Sequence, residues 1–110
     1  MANTPVSLAL ERITEQLEAL NFATDAITAL RNNGDIDSDF ARLRLRRLSR
    51  RRTDLRDQRM TIMLTQAVAS PPTEAEISAL RAKVKALHEL NVSAAALNDL
   101  IAAALEIAAS

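Results

Sequence analysis

The chain has 110 residues, 48% hydrophobic and 25% charged, with fourteen basic and fourteen acidic side chains, one histidine, one glycine, three prolines and no cysteine. Its length fits a single domain spanning 1–110, and the lack of cysteine excludes a disulfide framework, a thiolate nucleophile and a zinc ribbon. Scarce Gly and Pro disfavour turn-rich sheet folds, whereas the abundant Ala, Leu, Arg and Glu favour long helices.

The first helix is expected over residues 5–32. Thr4 is suited to cap it and Pro5 to occupy its first turn. Val6, Leu10, Ile13, Leu17, Leu20 and Ile27, with Thr24 keeping step, recur at alternating spacings of three and four, a coiled-coil seam. Arg31 and the run Asn32 to Gly34 read as its end, with a cation in the last turn and then a residue that tolerates left-handed geometry.

The second helix is expected over 38–69, capped by Asp37 or Ser38 and ended by Pro71 and Pro72. Its stretch RLRLRRLSRRRTDLRDQR, residues 42–59, holds nine arginines. At 100° per residue they do not share a face. Arg42, Arg46, Arg47, Arg50 and Arg56 spread over one broad outer side, the expected partner-binding strip. Arg44, Arg51, Arg52 and Arg59 fall on or beside the apolar stripe of Phe40, Leu45, Leu48, Leu55 and Ile62, where a cation must snorkel or find a partner. A hairpin centred on Gly34 and Asp35 pairs positions whose numbers sum to about 70, which sets Glu18 opposite Arg52 and Glu11 opposite Arg59 as internal ion pairs. By the same reasoning the turn at Pro71 sets Asp99 opposite Arg44.

Thr73 and Glu76 form a capping-box signature for a third helix over 74–109. Its stripe runs Ile77, Leu80, Val84, Leu87, Leu90, Ala94, Leu97, Ile101, Leu105 and Ala108. Two consecutive steps of three, Val84 to Leu87 to Leu90, break the heptad. The reading favoured here is one helix kinked at Asn91–Ser93; the alternative is a split, with Ser93 capping a fourth helix and Val92 stapled to Leu97. The fold expected is therefore all-α: an elongated, coiled-coil-like antiparallel three-helix bundle, with helices roughly 40 to 55 Å long.

The Ala-rich tail carries Leu97, Leu100, Ile101 and Leu105, more apolar surface than one seam uses, and these four are the expected homo-oligomer interface. Leu8, Phe22, Leu43, Leu64 and Leu90 are likewise off the main stripes. His88, the sole histidine, has only Lys85 and Glu89 beside it and is expected at a solvated edge. Glu74 and Glu76 read as capping residues, and Asn91 and Asn98 as a polar layer or as exposed positions.

No nucleophile, base and orienting group can be assembled from one histidine and scattered carboxylates, so no enzymatic activity is expected, and no cofactor or metal. The opening MANTPVSLALERITEQ lacks the basic and apolar regions of a signal peptide, and no run approaches the roughly 18 apolar residues of a membrane span. Cytoplasmic location is expected, with signal-less secretion as the other route. The function expected is a small protein–protein interaction or assembly module, of accessory, chaperone-like or inhibitor type, acting through helix faces and its arginine-rich second helix. The alternative is nucleic-acid binding by the Arg42–Arg59 helix. It has cations for phosphate, but no Trp or Tyr in the chain to stack bases.

Overall fold

A computed structural model describes residues 4–110; residues 1–3, which the single-domain span includes, lie outside the described residues. Thr4 opens helix α1 (Pro5–Asn32) in extended geometry, its side chain accepting the Ser7 N–H at 3.0 Å. The helix ends in a Schellman arrangement. The Asp35 N–H donates to Leu30 O at 2.9 Å and the Gly34 N–H to Arg31 O at 3.0 Å, with Gly34 at φ +78°. A Cβ at Gly34 would meet nothing within 4 Å, so backbone conformation and not space demands glycine there.

Asp37 caps helix α2 (Ser38–Thr65) by accepting from the Asp39 and Phe40 N–H groups. The helix stops four residues short of the expected 69. Gln66 turns left-handed at φ 53°, and its side-chain amide donates to Met63 O, a carbonyl that the helix leaves open. Residues 66–73 then form a linker in which Pro72 is buried.

Helix α3 (Glu74–His88) starts with the expected capping box: Thr73 accepts from the Glu76 N–H at 3.1 Å and Glu76 accepts from the Thr73 N–H at 3.2 Å. It does not continue as a kinked helix. The chain turns at residues 89–96, where Ser93 Oγ accepts the Ala96 N–H at 3.2 Å, and helix α4 (Leu97–Ala108) folds back. Val92, the expected staple on Leu97, stays at the surface. The described residues thus form four helices, not three. Length explains the split. A continuous helix over 74–109 would run roughly 54 Å against about 42 Å for α1, leaving its last apolar turns without a partner.

Contacts between helices set the directions. Arg52 reaches Asn21, so α2 runs antiparallel to α1. Arg81 reaches Glu11 and Glu15 while His88 reaches Glu18, so α3 runs parallel to α1. Asn98 meets Arg44 near the first hairpin and Ser110 O accepts from Gln16, so α4 runs back antiparallel to α1 and parallel to α2. Helix α1 packs against all three others, and α2 and α3 stand on opposite sides of the bundle without approaching each other. The particle measures 47 × 25 × 17 Å with a radius of gyration of 15.2 Å, elongated beside the ~13 Å of a compact chain this long.

Burial follows from these roles. On α1, Ala9, Ile13, Gln16, Leu17, Ala19, Leu20, Ala23, Ala26, Ile27 and Leu30 are buried, about half the helix circumference and far more than one seam. On α2 only Ala41, Leu48 and Leu55 are, each seven residues from the next. Leu97, Leu100 and Ile101 lie within the chain's own core, and Leu105 packs half-buried against it. The four residues expected at an oligomer interface are thus mostly consumed by the fold, because the return of α4 turns their face onto α1. Leu48→Ala is expected to lower stability in urea denaturation by about 3 kcal/mol, the cost of an unfilled core site. By contrast, Leu64→Ala, at a position 77% exposed, should stay within about 0.5 kcal/mol.

A candidate docking surface on helix α2

Three of the nine arginines of residues 42–59 turn inward. Arg44 lies over the Phe40 ring, 3.2 Å from its centroid, and donates from Nε to Asn98 Oδ1 at 3.2 Å and from Nη1 to Phe40 O at 3.4 Å. Arg51 donates from Nε at 3.1 Å, and also from Nη2, to Ala108 O. Helix α4 has no basic residue in its own last turn, so this guanidinium supplies the cation favoured at its C-terminal end. Arg52 donates from Nη1 to Asn21 Oδ1 at 3.2 Å, while its buried Nε has no partner.

The expected internal ion pairs do not form. Glu18 faces His88, with Oε1 3.4 Å from Nε2, and Glu11 faces Arg81, with Oε2 3.3 Å from Nη2; Glu15 also reaches Arg81, at 3.5 Å. Arg59 is exposed and makes no ion pair among the described residues. Two causes combine. The Arg52–Asn21 contact is offset three residues from the expected register, nearly a helical turn. The flank of α1 that carries the glutamates is covered by α3, which runs parallel to it, and not by α2. The expected neighbour of Arg44, Asp99, is replaced by Asn98, one residue away. That near agreement comes from a helix running in the opposite direction to the one expected.

His88 occupies an edge position, stacked on Phe22 with ring centroids 4.6 Å apart. Its contact with Glu18 is an ion pair only when the imidazole is protonated. Asn91 is exposed, and Asn98 serves Arg44 and no polar layer. Among the described residues no group of three or more His, Asp or Glu side chains is placed to hold a metal ion, and no helix is long and apolar enough to cross a membrane.

The other arginines face out. Arg42, Arg46, Arg47, Arg50 and Arg56, the expected partner strip, are all exposed. Arg42 pairs with Asp39 of its own helix at 3.0 Å. Arg46, Arg47, Arg50, Arg56 and Arg59 carry no ion pair or hydrogen bond to another described residue. Exposed apolar side chains share this helix: Leu43 at 58%, Met60 at 57%, Met63 at 53% and Leu64 at 77%. Met60 and Met63 were not singled out from sequence, although their distance from the repeat Ala41, Leu48, Leu55 and Ile62 carries that information. Beside Leu43, between α2 and α4, runs a groove of about 580 Å³ lined by Leu43, Arg44, Arg47, Asn98, Ile101, Ala102 and Leu105.

Comparison with protein-family models, with curated proteins and with solved structures finds no match to this chain.

The geometry fixes two energetic expectations. A double-mutant cycle between Glu18 and Arg52 should give a coupling near zero, whereas one between Glu15 and Arg81 should give about 0.5 kcal/mol, a typical value for a partly exposed pair. Arg52→Met should leave stability unchanged or raise it by about 1 kcal/mol, since it removes a buried donor without a partner and keeps the aliphatic stem. Urea midpoints of the variants test both.

Proposed function

We propose that the chain is a non-catalytic protein-interaction module that binds an acidic protein surface through the outer face of α2. The observation that carries this reading is the composition of that face. Five arginines without internal partners stand on the same helix as exposed Leu43, Met60, Met63 and Leu64. Arg and Met are enriched in protein interfaces, and apolar side chains set among cations gain little from a phosphate backbone. The arginines would steer an acidic partner and fix its orientation, and the apolar residues would supply burial. An accessory, chaperone-like or inhibitor role fits such a surface equally well. Nucleic-acid binding by the same arginines is the competing reading.

Self-association belongs to the proposal too, but through Met60, Met63 and Leu64 at the end of α2, since α4 spends its leucines on the monomer core. That patch is small and rimmed by Arg56 and Arg59, so like charge works against a tight homodimer there.

The paired reversal Arg46→Glu with Arg50→Glu is the direct test. Both side chains are exposed, so the thermal midpoint should hold, with stability within about 0.5 kcal/mol of the parent. Capture of an acidic protein from extract, reproduced with that protein purified, should be lost in the variant. Salt-sensitive retention of duplex or single-stranded nucleic acid by the parent, abolished by the same reversal, would instead support the competing reading.

A further inference from the structure

We propose that the groove between α2 and α4 receives an amphipathic helix of a partner protein whose apolar stripe is flanked by carboxylates. This rests on the reading of α2 as a protein-docking surface and adds the place and the shape of the ligand. Of the helix pairs that pack, α2 and α4 approach each other least, and the groove opens along that seam. Its wall on α2 is Leu43, exposed although apolar; its side on α4 is Ala102 and the half-buried Leu105, with Ile101 beneath. The small Ala102 lets a docked backbone come close, and the volume of about 580 Å³ accommodates several apolar side chains.

Charge decides the chemistry of the occupant. The lining holds Arg44 and Arg47 and no carboxylate. Arg44 is already ordered by Phe40 and Asn98, so little conformational freedom is lost when a carboxylate meets it. Arg47 has no partner, and Arg50, three residues further, continues the row on the same side of α2. Partner carboxylates along one flank of a docked helix would meet these cations in turn.

The groove walls decide the secondary structure. Both are helices whose backbone groups are bonded along their own axes, so neither offers an edge to an extended strand. An occupant must satisfy its own backbone, as a helix does. A second copy of this chain fits poorly. Its large exposed apolar helical residues are Leu43, which stands among Arg44 and Arg47, and Met60, Met63 and Leu64, which stand beside Arg56 and Arg59; either set would bring cations to a cationic rim. Its exposed Leu90 and Val92 lie in the turn after α3 and not on a helix.

The test uses the full chain and a stapled helical peptide with leucines three and four residues apart, flanked by glutamates, followed by fluorescence anisotropy. A second peptide carries lysine in place of every glutamate, and polyglutamate serves as a purely ionic probe. The leucine–glutamate helix should bind the parent, and Leu43→Asp, Ala102→Glu and Arg47→Glu should each weaken it by about tenfold or more, the effect of a central interface residue. Arg56→Glu, on the same helix but outside the groove, should change binding by no more than about twofold. Leu43 and Ala102 are exposed, so unaltered melting of their variants separates lost binding from lost fold. Absence of binding to the parent, equal binding of the lysine peptide, or a parent dimer that Leu43→Asp dissociates would each overturn the proposal. If Arg46→Glu with Arg50→Glu abolishes binding of the peptide and of polyglutamate while Leu43→Asp does not affect the peptide, the groove is wrong and the arginine-face reading stands. If neither probe binds the parent, both fall.

Discussion

Everything in this bundle hangs on α1 having to bury half of its circumference. Three helices pack on it, and a helix can take three neighbours only if some of its contact positions are small enough for axes to come close. Ala9, Ala19, Ala23 and Ala26 meet that need, while Ile13, Leu17, Leu20 and Ile27 fill the wider spaces. Among the described residues the one buried polar side chain of the core, Gln16, sits inside this arc and is tolerated because it donates at 2.8 Å to Ser110 O. That bond and the Arg51 contact to Ala108 O anchor the end of α4 from two helices at once.

The arginine-rich stretch resolves into two populations by the same geometry. A helix with a seam as narrow as that of α2 leaves most of its surface to solvent, and the side chains at the seam's margins are long enough to lay their stems on apolar surface and carry the guanidinium to an oxygen. Arg44, Arg51 and Arg52 do so with neutral oxygens from Asn98, Ala108 and Asn21, not with carboxylates. Neutral acceptors avoid the desolvation of a second charge, the larger cost in a buried pair. The glutamates of α1 are left for Arg81 and His88 at the more open α1–α3 margin.

Much of this was legible in the sequence, and the remainder failed for identifiable reasons. Caps are local chemistry, so Thr4 with Pro5, Gly34, Asp37 and the Thr73–Glu76 box marked real boundaries. The division of arginines into inner and outer sets was legible for Arg44, Arg51 and Arg52, which track the apolar seam; Arg59 missed because α2 loses its neighbours towards that end. The register between α1 and α2 depends on how many residues the Schellman turn consumes, a tertiary quantity with no periodic signal. The apolar stripe from Ile77 to Ala108 carries on through residues 89–96, so the sequence favours one helix kinked at Asn91–Ser93 over a split there. What decides it is the length of α1, and propensity read locally has no access to the length of a partner. Once α4 reverses, Leu97, Leu100 and Ile101 turn into the interior with Leu105 half-buried beside them, so the placement of the tail depends on that one boundary.

The narrow seam of α2 also has a kinetic face. Its first five turns are tied down by Ala41, Leu48 and Leu55 and by the inward arginines, but beyond Leu55 only Ile62 packs against the core, and the helix ends on a residue in left-handed geometry. The amides of residues 59–65 therefore sit where opening exposes little additional apolar surface, and protection against solvent exchange is expected to decline along α2 towards that end. Met60, Met63 and Leu64 lie on that segment. A partner seated on them would also add rigidity, and ordering of the last turns of α2 would then be coupled to its engagement.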